Sequence, residues 1–227
     1  MTNKATRRLS LSQRTLVIDT ATAACSVALI EGRVTVAAIH EEVGRGHAER
    51  LIPMIAELPG GGWADRILVD VGPGSFTGIR VGVAAARGLA LGWGVPVTGY
   101  SALALIANQM FSAAGLDDDA TVAVVLEGGH GEVFMQTFAD APFAALDELA
   151  SLKLADALAR IGDRLAFGPG LKHLVGMRQA QLGAAVPPQA SWAKLLPEEF
   201  TRLPPRPIYG RAPDAKPVPS RAEGTPA

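Results

Sequence analysis

Several features are scarce or missing in this chain of 227 residues, and each absence excludes a class of protein. Cys25 is the only cysteine, so the chain cannot form an internal disulfide, which fits a reducing compartment. No run of about 18 apolar residues is present, as a membrane-spanning helix requires. No continuous apolar core follows the basic start, as a secretory signal requires. We therefore expect a cytoplasmic protein that does not contact a membrane.

An excess of charge of one sign is also missing. The formal net charge is −1, and no segment combines clustered Lys and Arg with aromatic residues. Autonomous binding to RNA is therefore not favoured, because such proteins carry a basic patch. The hydrophobic content of 48% is enough to bury a core, either as one large domain or as two small lobes.

The stretch from Ile67 to Trp93 organises the rest of the chain. Ile67 to Val71 is a short apolar run, which predicts a strand covered on both faces. Gly72-Pro73-Gly74 ends it, and Ser75 or Thr77 is predicted to cap the helix that follows. The sequence thus predicts a strand, a glycine loop and a long helix.

Small residues recur at every fourth position of that helix, at Gly78, Gly82, Ala86 and Ala90, and form one ridge of its surface. Each glycine inside a helix costs roughly 0.5–1 kcal/mol relative to alanine, so close approach of another backbone must offset the cost. That backbone belongs either to this chain's own sheet or helices or to a second subunit. The pattern alone leaves both interpretations open.

The glycine loop also raises the question of phosphate binding, because amides at the start of a helix attract anions. No Lys-Ser/Thr pair follows the loop, as a P-loop requires. Gly72, Gly74 and Gly78 are spaced one residue too widely for the dinucleotide fingerprint. Asp19, at the end of the first predicted strand, would face a ligand at the strand ends, although a turn-stabilising role is the alternative.

Three consecutive strand patterns precede this stretch, at 15–19, 26–30 and 34–40, and predict an antiparallel meander. An amphipathic helix begins near His47, which we expect at a surface or interface because no second histidine shares its face. After an acidic turn at 117–119, a hairpin at 120–138 and helices at 146–161, 171–181 and 192–200 are predicted. His130 and Glu132 flank glycines in the turn of the predicted hairpin. Acid–base chemistry is one interpretation of these two residues, and a plain turn is the other.

Four segments of the chain together resemble the bacterial TsaB (YeaZ) family. They are Leu16-Val-Ile-Asp-Thr-Ala-Thr-Ala-Ala-Cys-Ser-Val-Ala-Leu29, Arg45-Gly-His-Ala-Glu-Arg-Leu-Ile-Pro53, Gly72-Pro-Gly-Ser-Phe-Thr-Gly-Ile-Arg-Val-Gly82 with Ala86-Arg-Gly-Leu-Ala90, and Tyr209-Gly-Arg-Ala-Pro-Asp-Ala-Lys-Pro217. The resemblance implies an α/β chain with an actin-like, RNase H-like fold, in which a mixed sheet with crossover helices is followed by a reduced second lobe. We expect a basic extension at 1–14, the first lobe at 15–116, the second at 117–203 and a proline-rich tail at 204–227.

The resemblance further implies a role in making N6-threonylcarbamoyladenosine (t6A) at position 37 of tRNAs that read A-starting codons. In that system the family is a non-catalytic partner of the related transferase subunit TsaD. TsaC makes the adenylate intermediate and the ATPase TsaE completes the set, while tRNA is reached only through the complex. In the family the same surface meets either TsaD or a second copy of the subunit, and the sequence leaves open whether this chain pairs with itself where TsaD is absent.

The sequence also departs from catalytic relatives, and these departures imply a subunit with neither cofactor nor metal. The positions that match the metal-binding histidines of TsaD are Ala102 and Ile106, which cannot bind a metal. The loop at Asp19-Thr-Ala21-Thr lacks the glycine of the phosphate loop of actin-like ATPases. An actin-like ATPase using Asp19, Gly72 and Gly74 is kept as the alternative, and a glycopeptidase-like metallopeptidase as a weaker one.

The resemblance places the subunit interface on the helix near His47 and the helix near Thr77. On this basis the residues predicted to meet TsaD or a second copy are Leu51, Ile55, Gly78, Gly82 and Ala86.

Overall fold

Residues 13–117, 119–174, 176–178, 181 and 183–210 are described by the computed structural model of the protein. The strands are β1 Arg14–Asp19, β2 Ala24–Glu31, β3 Val34–Glu42, β4 Arg66–Asp70, β5 Val97–Tyr100, β6 Thr121–Gly129, β7 Glu132–Ala139, β8 Ala144–Ala145, β9 Ala150–Lys153 and β10 Leu165–Phe167. The helices are α1 His47–Glu57, α2 Phe76–Trp93, α3 Ala102–Ala113 and α4 Leu154–Ile161. The predictions for residues 1–12 and 211–227 lie outside the described residues.

The first sheet has five strands in the order β3-β2-β1-β4-β5. Strands β1, β2 and β3 form the predicted antiparallel meander, and β4 and β5 run parallel to β1. Strand β1 is buried on both faces, because Leu16 and Ile18 face one cluster of core residues and Val17 faces another. The first half of the chain is therefore the mixed sheet with crossover helices that was expected.

The second sheet contains β10, β6, β7 and β8 in that order, and β9 also pairs with β7. Helices α1 and α2 cover the outer face of the first sheet, and α3 lies between the two sheets. Its residues 102–111 are buried all round, as befits a helix that is apolar on every face. Helix α4 covers the far face of the second sheet. This layered α/β arrangement is consistent with an actin-like fold.

The helix predicted over 146–161 is wrong in its first half, because 150–153 form strand β9 and only 154–161 are helical. Just before β9, Asp147 binds to β7, because its Oδ1 accepts a hydrogen bond from Thr137 N at 2.9 Å. An unpaired edge of β7 offered hydrogen bonds to this segment and outweighed its helical periodicity.

The helix predicted over 192–200 is also corrected. Two short 3-10 helices, Ala190–Leu195 and Glu198–Thr201, occupy this region. Pro197 separates them, since proline lacks the N–H that a continuous helix would need. The predicted helix at 171–181 is replaced over its first residues by a 3-10 helix at Pro169–His173, and its remainder is only partly described.

Candidate functional site

Helix α2 turns its column of small residues toward the chain's own interior. A Cβ atom added to Gly78 would lie 2.0 Å from Thr20 O, and one added to Gly82 would lie 2.3 Å from Thr20 Oγ1. Thr20 Oγ1 also donates a hydrogen bond to Gly78 O at 2.8 Å. The backbone that approaches the ridge is therefore the loop after β1, which resolves the two interpretations that the pattern left open.

The five residues predicted for the subunit interface lie in the core. Leu51 is 1% exposed, Ile55 is 3% exposed and Ala86 is fully buried. Gly78 and Gly82 are buried beneath Thr20. All five residues are enclosed within this chain. The interface on α1 and α2 stays a prediction, and the exposed surface that it needs comes from other residues of these two helices.

The opposite faces of the same two helices are exposed. Leu91 of α2 is 86% exposed, and Ile52 of α1 is 50% exposed. Ala84 and Gly88 are also exposed, and a Cβ atom on Gly88 would meet nothing within 4 Å. Ala84, Gly88 and Leu91 follow one another at helical spacing and therefore form one stripe. Helices α1 and α2 pack side by side and present small and apolar residues outward.

Two carboxyl groups meet where β1 and β4 end side by side, on the face of the first sheet that packs against α3. Asp19 is 1% exposed and Asp70 is fully buried. Asp19 Oδ2 accepts a hydrogen bond from Tyr100 Oη at 2.8 Å. Asp70 Oδ1 accepts from Gly72 N at 2.9 Å and from Ala102 N at 3.1 Å. Among the described residues, Asp19 Oδ1 and Asp70 Oδ2 have no hydrogen-bond partner.

Burial governs the protonation of this pair. It raises the pKa of Asp19 to about 7, against the opposing effect of the hydrogen bond from Tyr100. Burial likewise raises the pKa of Asp70 well above its ordinary value, and the charge of Asp19 raises it further. Two neighbouring carboxyls in a dry interior do not both ionise, so the pair retains a proton near neutral pH.

Asp19 and the glycine loop make close contacts within the chain, and their part in phosphate binding stays a prediction. Asp19 is enclosed by protein, and a Cβ atom on Gly72 would lie 2.6 Å from Ile208 O. Gly74 fits tightly against Ala21, because its added Cβ would lie 2.1 Å from Ala21 O. Ser75 N donates to the same carbonyl at 2.7 Å. The loop therefore serves to dock the start of α2 onto the turn after β1.

A cleft of about 870 Å³ opens between the two sheets' loops, above the carboxyl pair. One wall is formed by the turn after β1, the loop before α1 and the first turns of α2, and the other by the β6–β7 turn. The polar side chains that line it are Thr22, Arg45, Ser75, Arg80, Glu127, His130 and Tyr209. Of the residues considered from the sequence for ligand binding or acid–base chemistry, Gly74 and His130 line this cleft.

Arg80 is held in place on the wall of the cleft by two aromatic rings. Its guanidinium carbon lies 3.7 Å above the centroid of the Phe76 ring, and its Nε donates to Tyr209 Oη at 3.0 Å. The rings of Phe76 and Tyr209 contact each other, with centroids 5.1 Å apart. Sequence reasoning missed this cluster because its members lie in motifs 129 residues apart.

The histidines have different surroundings. His47 is 4% exposed and its Nε2 lies 3.2 Å from Ala24 O, so the expectation of a surface position is wrong. The ring fills the space between α1 and the start of β2. His130 lies at the tip of the β6–β7 turn with a φ of 53°, a conformation that few residues other than glycine adopt.

The positions matched to the relative's metal ligands, Ala102 and Ile106, are fully buried in α3. Over the described part of the chain, no cluster of three or more His, Cys, Asp or Glu side chains is placed to hold a metal ion. Nor does any helix among those described residues reach the length and apolar character needed to cross a bilayer.

A family model described as TsaD, tRNA N6-adenosine threonylcarbamoyltransferase, matches residues 37–182. The tRNA threonylcarbamoyladenosine biosynthesis protein TsaB of Escherichia coli is 39% identical over 126 residues, which cover 53% of each chain. The TsaB protein of Haemophilus influenzae is 38% identical over 125 residues, covering 52% of this chain and 51% of that one. The match thus spans about half the length of these curated relatives.

Similarity of structure extends over more of the chain. A Pseudomonas aeruginosa protein, described as uncharacterised with similarity to peptidase YeaZ, superposes with a TM-score of 0.73 at 26% identity. The superposition covers 88% of this chain and 100% of the Pseudomonas aeruginosa chain.

Proposed function

The chain belongs to the TsaB (YeaZ) family, and from this premise we propose that it is a subunit of the complex that makes t6A in tRNA. The relatives from Escherichia coli and Haemophilus influenzae are named as tRNA threonylcarbamoyladenosine biosynthesis proteins. Both names refer to the same modified nucleoside. The proposal therefore assigns this chain to tRNA modification.

We propose that the subunit is not itself the catalyst. Ala102 and Ile106 replace the residues that would hold a metal, and neither side chain has a donor atom. Cys25 is buried, and burial, reinforced by the charges of Asp19 and Glu41, raises the pKa of its thiol to about 11. A thiol in that state is a poor nucleophile. Asp19 lies beneath the loops and does not line the cleft.

The observation that carries the proposal is the outward face of α1 and α2. Leu91 exposes 86% of its surface, although the residue type is usually buried. Ala84 and Gly88, on the same stripe as Leu91, have small side chains or none. A second pair of helices can therefore approach α2 closely at these positions. We propose that TsaD, a relative with a similar plan, covers this face with its own helices.

In this arrangement the subunit acts as a scaffold. A stable interface buries about 1,200–2,000 Å² in total, which two helices from each partner can supply. Covering the face fixes the orientation of TsaD and holds it in a competent shape. TsaE and tRNA join through the assembled complex. Where TsaD is absent, the same face pairs with a second copy of this chain.

The ATPase alternative receives less support, because Asp19 and Gly72 lie in the interior. Peptidase activity, suggested by the description of the Pseudomonas aeruginosa structure, would need an activated nucleophile or a metal. Among the residues that the structure describes, no group of three or more His, Cys, Asp or Glu side chains is placed to hold a metal, and the thiol of Cys25 is buried.

Deleting the gene from its host and measuring tRNA nucleosides by mass spectrometry tests the assignment. We expect t6A to disappear and to return with the wild-type gene. Leu91→Asp should fail to restore it, whereas Leu146→Asp, which changes a 49% exposed leucine elsewhere, should succeed. Unchanged t6A in the deletion strain would refute the assignment to this modification.

A further inference from the structure

The cleft between the two sheets' loops has a composition that the scaffold role does not use. Its volume of about 870 Å³ lies within the range of small-molecule sites. It combines cationic groups, Arg45 and Arg80, with an apolar lining from Leu126, Phe134 and Pro169. A surface that only separates two lobes needs neither feature.

The two arginines lack carboxylate partners among the described residues. The acidic residue that lines the cleft, Glu127, is bonded to Lys172 at 2.9 Å and to His173 at 3.3 Å. The carboxylate of Glu127 is therefore paired with Lys172 and His173 and not with Arg45 or Arg80. The cleft is left with two positive charges that no described carboxylate balances.

Arg80 is also prepared for binding. The ring of Phe76 supports one face of its guanidinium, and Tyr209 engages its Nε, while both Nη groups make no hydrogen bond to a described residue. A guanidinium fixed in this way loses little freedom when it binds, and its free edge matches two oxygens of a phosphoryl group. This arrangement requires the segment around Tyr209 to fold back onto α2.

We propose that this cleft binds a small organic phosphate, with the phosphoryl group on Arg45 and Arg80 and an apolar or planar part against Phe134 and Pro169. Two guanidinium charges balance a phosphoryl dianion. A long RNA strand fits these observations less well, since the cleft is of small-molecule size and the whole chain carries no positive excess. Arg80 lies one helical turn before Ala84, so this site adjoins the stripe that we propose meets TsaD.

Calorimetric titration of the full 227-residue chain tests the proposal. The probes are inorganic phosphate, pyrophosphate, AMP, ADP and a single-stranded RNA octamer. We expect saturable binding of at least one small phosphate with a Kd below about 1 mM, weakened about tenfold or more in Arg80→Gln and in Arg45→Gln. Tighter binding of AMP or ADP than of pyrophosphate would assign the apolar lining to the organic part.

Arg87→Gln is the matched control, because Arg87 is an exposed arginine of the same helix that does not line the cleft. It should bind like the wild type. Thermal melting of each variant checks folding, and Arg80→Lys, which keeps the charge and loses the planar fork, should bind with intermediate strength. Parallel measurement of TsaD binding separates this site from the scaffold role.

Three results would overturn the proposal. They are binding of no small phosphate below about 1 mM, equal loss of affinity in Arg87→Gln, and RNA binding that displaces every small phosphate while depending on the same arginines. The last result would identify the cleft as an RNA site instead.

Discussion

Thr20 lies so close to Gly82 that a single added methyl group would stand 2.3 Å from its Oγ1. This contact joins the turn after β1 to the middle of α2. We expect Gly82→Ala to destabilise the monomer by about 1–3 kcal/mol, because the turn must move or the helix must lift from the sheet. Urea denaturation followed by circular dichroism measures the change.

Gly88→Ala is the matched control, since its added methyl group meets nothing within 4 Å. It should stabilise the chain by about 0.5–1 kcal/mol through helix propensity alone. If both substitutions changed stability in the same direction and by the same amount, the close contact between Thr20 and α2 would be refuted.

The buried pair of Asp19 and Asp70 should make stability depend on pH. The pKa of Asp19 rises from 3.8 to about 7 on folding, so between these values the folded chain binds more protons than the unfolded chain. The free energy of unfolding therefore falls as pH rises through this window. We expect a loss on the order of 2 kcal/mol between pH 5 and pH 7.5, since one pKa unit corresponds to about 1.4 kcal/mol.

Asp19→Asn should remove the part of this dependence that Asp19 contributes, while buried Asp70 keeps its own part, and should raise stability at pH 7.5. Its amide keeps an oxygen for Tyr100 Oη and places a donor where Oδ1 has no described partner. Asp163→Asn, at a side chain that is 97% exposed, is the control and should retain the wild-type slope. A wild-type profile that is flat from pH 5 to pH 7.5 would argue against a shared proton.

Cys25 should resist thiol reagents in the folded chain. The thiol is buried, and its pKa of about 11 leaves almost no thiolate at pH 8. We expect negligible reaction with 5,5′-dithiobis(2-nitrobenzoic acid) at pH 8 and stoichiometric reaction in 6 M guanidinium chloride. Fast stoichiometric reaction of the native protein would show that β2 opens readily or that the thiol is accessible.

Much of the first half was predictable because its signals are local. The apolar runs of β1, β2 and β4, and the glycine loop before α2, are each contained in a few residues. The glycine column correctly indicated a close backbone contact. It did not identify the partner, since Thr20 lies 58 residues from Gly78 in the sequence and spacing carries no information at that distance.

The rest depended on tertiary competition. Residues 150–153 have apolar positions compatible with a helix, but the edge of β7 captured them as β9. The burial of His47 follows from its bond to Ala24 O, a contact that no periodicity indicates. The cluster of Phe76, Arg80 and Tyr209 required the folded chain, because it brings the C-terminal segment against the start of α2.

The central claim concerns the exposed face of α1 and α2, and Leu91→Asp tests it most directly. The residue is 86% exposed, so an aspartate there should leave the monomer folded while introducing an uncompensated charge into the proposed interface. Leu146→Asp, at a 49% exposed leucine outside both helices, supplies the matched control.

The decisive measurement is size-exclusion chromatography with light scattering of each variant mixed with purified TsaD from the same organism. The account predicts a stable one-to-one complex for the wild type and for Leu146→Asp, and separate monomers for Leu91→Asp. A Leu91→Asp protein that still forms the complex as tightly as the wild type would contradict it.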